Sequence, residues 1–497
     1  MPLLAALAMS YGWGFRGDYG HEAGAMFPGA FLALSILIGS GRADWLRRIV
    51  PITLAAALGW AFGGAVSYGK VIGYTAHSSW PDVAYGYTSL WIIGALWGSV
   101  GAGCLALALT MKRSWLNAWA YPLILLFVTW QVLDGQGITE WAETHYVHMD
   151  VDWLAALSAL LVGLLCYAVQ PWRAVAGLMM TLAAGWLLGF FVLTYFFGLR
   201  MTPPRGDNWA GSVGLAVAFF VWLHWHRYWA AMYLFLVGAI AGGFGFALGD
   251  ALNMMGRAGW GPVGELARTL KLDAWKWMEQ SFGLIMGLGV ALGVLQLVKT
   301  YLPSPVEDEE GGDIHCVGLV FLLVVMPWMN FFKNVRRLIS DHQLGGDLFG
   351  VTQPVWYIMI GTGVSLLVVY AVLLHRRGKL RLIPLEPLGR AQLLFLFLMW
   401  LSVLAAFQQA MPHMKNTGTL WVHVTFWLTA SAASMLALCA PLPDKKLALA
   451  ANIGIERYRP GRWLWLLLIL IPVVLAALTW ATVSMHDKLL SGSHTRF

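Results

Sequence analysis

Fifteen apolar runs succeed one another along this chain, and they decide what it can fold into. They occupy about 2–13, 24–40, 49–70, 87–111, 115–133, 153–169, 174–199, 209–225, 228–249, 277–298, 315–332, 354–374, 391–411, 420–442 and 463–485. Crossing the hydrocarbon core of a bilayer takes about 20 helical residues. No water is present there to satisfy backbone N–H and C=O groups, so runs of this length are read as helices. The segments of about ten alternating residues that mark a β-barrel do not appear. Hydrophobic residues make up 59% of the chain and charged ones only 11%, outside the soluble range. The expected fold is an all-α polytopic transmembrane bundle of about 14–15 segments with internal parallel repeats. The first run is short for a full span and reads as a half-helix or a late start.

The connecting loops sort the charges. Threaded as alternating spans, the loops 41–48, 112–114, 170–173, 226–227, 299–314, 375–390 and 443–462 hold 18 of the 32 Lys and Arg. Positive loops stay in the cytoplasm, which places the N-terminus there, in the cell (plasma or inner) membrane. Arg16, Asp18, His21, Glu22, Lys70, Asp250 and Glu279 then face outwards. A net charge of +7 spread over short loops suits anionic lipid head groups, and no nucleic-acid motif or basic tail is present. Cys104, Cys166, Cys316 and Cys439 form no C-x-x-C pair and read as core residues. The start Met-Pro-Leu-Leu has no basic region of a cleavable signal. Membrane lipids are the partner that composition names. Cofactor and oligomeric state are unknown at this level.

Part of the chain recurs. Phe15-Arg-Gly-Asp18 returns as Pro204-Arg-Gly-Asp207 at an offset of 189 residues, and Gly94 and Gly98 return as Gly283 and Gly287 at the same offset. Glycines four apart let membrane helices approach closely. Six runs separate the copies, an even number, so the repeats are expected to be parallel rather than inverted. Trp277-Met-Glu279-Gln-Ser281-Phe282 resembles Trp421-Val-His423-Val-Thr425-Phe426, the trace of a degenerate third unit. The expected organisation is a first repeat unit over 1–113, intervening helices with an acidic outer loop over 114–189, and a second unit over 190–301. An acidic linker at 302–313 and a C-terminal region over 314–497 complete it.

Residues 12–30 carry the densest chemistry. Arg16, Asp18, His21 and Glu22 fall within seven positions between two apolar runs, among Gly12, Gly14, Gly17, Gly20 and Gly24. Ionisable groups at the mouth of apolar helices must pair, reach water or hold a ligand. The second copy has Ala210 and Gly211 where the first has His21 and Glu22. Those two are therefore the candidate catalytic pair if the chain is an enzyme, a base near neutrality beside a proton acceptor. Arg16, Asp18, Arg205 and Asp207 are expected to cross-pair between the units or to hold an anionic group. Lys70 and Asp250 end corresponding runs and are expected to face each other or a substrate. Glu279 and His423 match in the second and third units, as a proton relay would. No H-E-x-x-H follows His21, so no metal site is expected. The stretch 134–152, with Asp134, Glu140, Glu143, His145, His148, Asp150 and Asp152, reads as a solvated acidic loop. Lys333, Arg336 and Arg337 read as an anion-binding rim or an interfacial helix.

Two functions fit these residues. The first is a secondary transporter of a small polar or anionic solute, with an outward-facing site between repeats. The alternative is a membrane-embedded enzyme with an extracytoplasmic active site, a glycosyl or acyl transferase using a lipid-linked or acyl donor. A polar path reaching both leaflets belongs to the transporter. A polar site closed beneath and open to lipid belongs to the enzyme. In either case His21→Ala with Glu22→Gln is expected to abolish activity and leave expression and folding nearly intact, whereas replacing Arg16 or Asp18 damages both. Full activity in the well-folded double variant would reduce this stretch to a hairpin.

Overall fold

The structure, a computed structural model, describes residues 1–17, 19, 22–63, 68–145, 151–203, 208–299, 312–332, 347–348, 350–410, 417–443, 462–486 and 488–497. In chain order its helices are α1 (Pro2–Arg16), α2 (Glu22–Gly39), α3 (Ala43–Leu46), α4 (Ile49–Gly63), α5 (Gly69–Thr75), α6 (Trp80–Thr110), α7 (Arg113–Asn117), α8 (Ala120–Gly135), α9 (Ile138–His145) and α10 (Asp152–Tyr167). They continue as α11 (Arg173–Gly189), α12 (Asn208–Trp225), α13 (Trp229–Ala258), α14 (Gly261–Leu270), α15 (Ala274–Lys299), α16 (Asp313–Val320), α17 (Gln353–Arg376), α18 (Pro387–Ala410), α19 (Thr417–Leu438) and α20 (Arg462–Met485). Each of the apolar runs falls on helix. The run at 49–70 is divided between α4 and α5, and the acidic stretch after α8 holds the helix α9.

Among the described residues, nine helices are long and apolar enough to cross a membrane. Their outward surfaces agree. Leu466, Ile469, Val473 and Trp480 on α20 are exposed, as are Leu161, Leu164 and Leu165 on α10. Apolar faces of this extent are not tolerated in water and mark a lipid-facing belt. The chain is therefore a multi-pass helical membrane protein.

The centre is built on close backbone approach. A Cβ placed on Gly98 would lie 2.0 Å from the Gly238 carbonyl oxygen, and one on Gly94 2.2 Å from that of Gly242. α6 and α13 thus touch main chain to main chain and run antiparallel. On its other side α13 meets α15, with Phe246 stacked on Phe282 at 4.7 Å and Asn253 reaching Met278. That contact is antiparallel too, so α6 and α15 run in the same direction. Gly283 and Gly287 do not repeat the partner of Gly94 and Gly98: they receive α1, against the carbonyls of Met9 and Ala5. Lipid tails are as apolar as leucine, so tight packing of small residues, not exclusion from water, holds such helices together.

These directions give the bundle two distinct ends. At the first, α1 finishes, α6 and α15 begin, and α13 finishes. Phe62 at the close of α4 meets Trp130 near the close of α8 at 5.3 Å, which brings Asp134 to this end as well. At the second end Arg48 Nη1 donates to the Met111 carbonyl at 2.7 Å. The last described residues fold back over the first end. The N–H groups of Leu490 and His494 donate to the carbonyls of Ala76 and Gly73, and those of Arg496 and Phe497 to Asp82 Oδ1.

The α6–α13 contact has no room for a side chain. Gly98→Leu is expected to cost about 3 kcal/mol or more, by forcing apart two backbones rather than one rotamer. Gly363→Leu, on an open face of α17 with nothing within 4 Å, is expected to be near neutral. Thermal unfolding in detergent micelles compares the two, and equal melting temperatures would contradict the packing described.

Candidate functional site

The end of α1 delivers Arg16 into the bundle. Its side chain is 2% exposed. The guanidinium lies over the rings of Trp97 at 4.8 Å, Tyr68 at 5.0 Å and Trp13 at 5.7 Å. Rings present a negative face to a cation, so this cage offsets part of the desolvation. Nη1 also donates to the Tyr68 hydroxyl at 2.7 Å, and that hydroxyl donates to Glu279 Oε1 at 2.5 Å. Tyr68 is therefore a neutral link that accepts from a cation and donates to a carboxylate.

Glu279 sits on the first turns of α15 and is 1% exposed. Trp275 Nε1 donates to its Oε1 at 3.3 Å, and Lys276 Nζ lies 3.4 Å from its Oε2 and 3.1 Å from the Gly14 carbonyl. Its carboxylate rests against the backbone at Gly17, where an added Cβ would come within 2.2 Å of Oε2. The glycine of the first Arg-Gly-Asp is thus required for space. Directly below, Trp13, Trp97, Phe246 and Phe282 form a continuous aromatic layer with ring centres 4.4 to 6.2 Å apart.

The other expected residues are distributed around this cluster. Lys70, two residues after Tyr68, donates to the Pro203 carbonyl. Asp250 is fully buried on α13, where its Oδ1 takes a bond from Asn253 Nδ2 at 3.1 Å. Among the described residues no ion pair joins Lys70 to Asp250. His423 is buried on α19 between Phe407 and Phe426. The helix α19 meets α15 where Gln280 Nε2 donates to Thr425 Oγ1 at 3.2 Å. Glu22 opens α2, but its side chain lies outside the described residues, as do Asp18, His21, Arg205 and Asp207. The same holds for His148, Asp150, Lys333, Arg336 and Arg337. No cluster of metal-ligating side chains occurs among the described residues.

Two cavities open near this end. A polar one of about 450 Å³ lies over the last turn of α13, between α14 and the start of α15, with Asn253, Arg257, Arg268 and Trp275 in its wall. The second, of about 490 Å³, is apolar and runs between α4, α6, α8, α10, α11 and α12. It extends from Trp115 and Trp119 past Leu58, Phe127 and Leu182 to Gln131, Asp134, Thr139 and Asp152 at the first end. Asp152 there takes a bond from Asn208 Nδ2 at 2.8 Å. Tyr68, Lys276 and Asn253 were not singled out from the sequence. Lys276 had a readable signal, three residues before Glu279 on one helix face.

Removing the Tyr68 hydroxyl leaves two buried ions without their link. Tyr68→Phe is expected to cost about 2 kcal/mol, and Glu279→Ala about 3–5 kcal/mol because it strands buried cations. Thermal unfolding in micelles reads both, and an unchanged melting temperature in Tyr68→Phe would remove the cluster's structural role. Comparison of the chain with protein-family models, curated proteins and solved structures finds no significant match.

Proposed function

We propose that this chain is a membrane-embedded enzyme working at one membrane face on a lipid-linked or acyl-bearing substrate. The observation that carries the reading is the apolar cavity with polar groups at one end only. Its shape suits a molecule with a long apolar body and a single polar head, and its volume lies within the range of ligand pockets. The three buried carboxylates among the described residues, Asp82, Asp250 and Glu279, belong to the same end. Below them, among the described residues, lie the packed rings of Trp13, Trp97, Phe246 and Phe282.

In this reading Arg16, Tyr68 and Glu279 hold the end of α1 in place, and the residues that follow do the chemistry. His21 and Glu22, five and six positions after Arg16, act as base and proton acceptor. Arg205, Asp207, Asp18 and Lys70 are the candidates to bind the head group. His423 has a packing role. The secondary-transporter reading keeps one supporting observation: α6 and α15 run in the same direction on either side of α13, as helices of parallel repeats do.

Native mass spectrometry of the protein extracted in mild detergent tests the proposal. About one amphipathic lipid per chain is expected to be retained, and Leu182→Trp with Ala159→Phe, which fill the cavity, are expected to expel it. Lipid no more abundant than the bulk membrane, or indifferent to those substitutions, would sink the enzyme reading. Saturable counterflow of a soluble solute in proteoliposomes would install the transporter in its place.

A further inference from the structure

The polar cavity over α13 is a second site, independent of the lipid reading. Its shape follows from two abrupt stops. α13 ends at Gly259, whose φ of +66° reverses the chain, and α14 ends at Lys271 with a φ of +51°. Asp273 then starts α15 by accepting the N–H groups of Trp275 and Lys276 at 3.0 and 3.3 Å. The ten-residue α14 is left lying across the end of the bundle, with a hollow between it and the helices beneath.

The polar groups in its wall are the Asp273 carboxylate, whose Oδ1 is held by the N–H groups of Trp275 and Lys276, an amide at the floor and two guanidinium groups at the rim. At the floor Asn253 is fully buried, and its Nδ2 is committed to Asp250. That bond fixes which way the amide points, because a carboxylate accepts only from the nitrogen. The Asn253 Oδ1 is left with no donor. A buried carbonyl without a donor is costly, so one lining an open cavity calls for a hydrogen-bond donor from a ligand. At the rim are two guanidinium groups. Arg257 donates to the Ser491 carbonyl, and Arg268 Nη2 to the Gly259 carbonyl at 2.9 Å. Each guanidinium carries five N–H donors in a planar fork, so one such bond fixes its position and leaves donors for an anion. The Trp275 indole, tied by its Nε1 to Glu279, supplies a flat wall.

From this geometry we infer that the cavity binds a phosphate ester carrying neighbouring hydroxyls, with its phosphate between Arg257 and Arg268 and a hydroxyl donating to Asn253 Oδ1. The same chemistry exists as a free solute and as the head group of a glycerol-based anionic lipid. The volume of about 450 Å³ accommodates either.

Purified protein in nanodiscs of zwitterionic lipid, followed by thermal unfolding and tryptophan fluorescence, tests the site with three soluble probes: glycerol 3-phosphate, inorganic phosphate and glycerol. Saturable stabilisation by glycerol 3-phosphate is expected, with inorganic phosphate weaker and glycerol silent. Arg257→Gln with Arg268→Gln is expected to lower affinity at least about tenfold, each stabilisation being read against the melting temperature of the same variant without ligand. Asn253→Leu is expected to erase the preference for the ester over inorganic phosphate. If that variant does not fold, the arginine pair decides alone. A second arm replaces part of the lipid by phosphatidylglycerol. Arginine-dependent stabilisation there, with the soluble ester silent, assigns the site to a lipid head group. No arginine-dependent response in either arm overturns the inference.

Discussion

The burial of Arg16 is the constraint on which the rest of the first end depends. Taking a guanidinium out of water costs several kcal/mol unless the protein surrounds it with rings, acceptors and opposite charge. Those groups come from four separate parts of the chain: Trp13 on α1, Tyr68 before α5, Trp97 on α6 and Glu279 on α15. Their meeting at one point fixes how α1, α6 and α15 are staggered. α13 must then fit between α6 and α15, which it does only because glycines remove the side chains where it crosses α6. Charge sets the register here, and small residues make the register reachable.

Much of this architecture was legible in the sequence. Apolar length alone located the helices, because a bilayer leaves no other way to satisfy the backbone. Gly94, Gly98, Gly283 and Gly287 were legible as close-packing positions, and they are, but their partners were not. Spacing reports that a helix approaches something and is silent on which helix. Arg16 and Glu279 were both recognised as needing partners. What joins them, the Tyr68 hydroxyl, was invisible because a tyrosine in an apolar run looks like any other ring. The expected pairing of Lys70 with Asp250 assumed that equivalent positions face each other. Asp250 is instead buried on α13 with Asn253 as its hydrogen-bond donor, while Lys70 reaches the Pro203 carbonyl.

The division of the polar groups between two cavities separates two demands. An apolar channel with a polar mouth suits a molecule that arrives through the bilayer, whereas the hollow beneath α14 opens at the end of the bundle. The Trp275 ring lines that hollow and donates to Glu279, in the cluster that holds the end of α1.

The fold-back of the last described residues has a consequence in time. Asp82 receives the N–H groups of Arg496 and Phe497, made 414 and 415 residues after it. At about 5–20 residues per second, synthesis separates these groups by roughly 20 to 80 s. Over that interval the first turn of α6 is in place without the backbone donors that finally meet its carboxylate. The same delay, shorter, separates Arg16 from Glu279. During synthesis the Asp82 carboxylate therefore depends on Ser79 and on water until residues 496 and 497 are made.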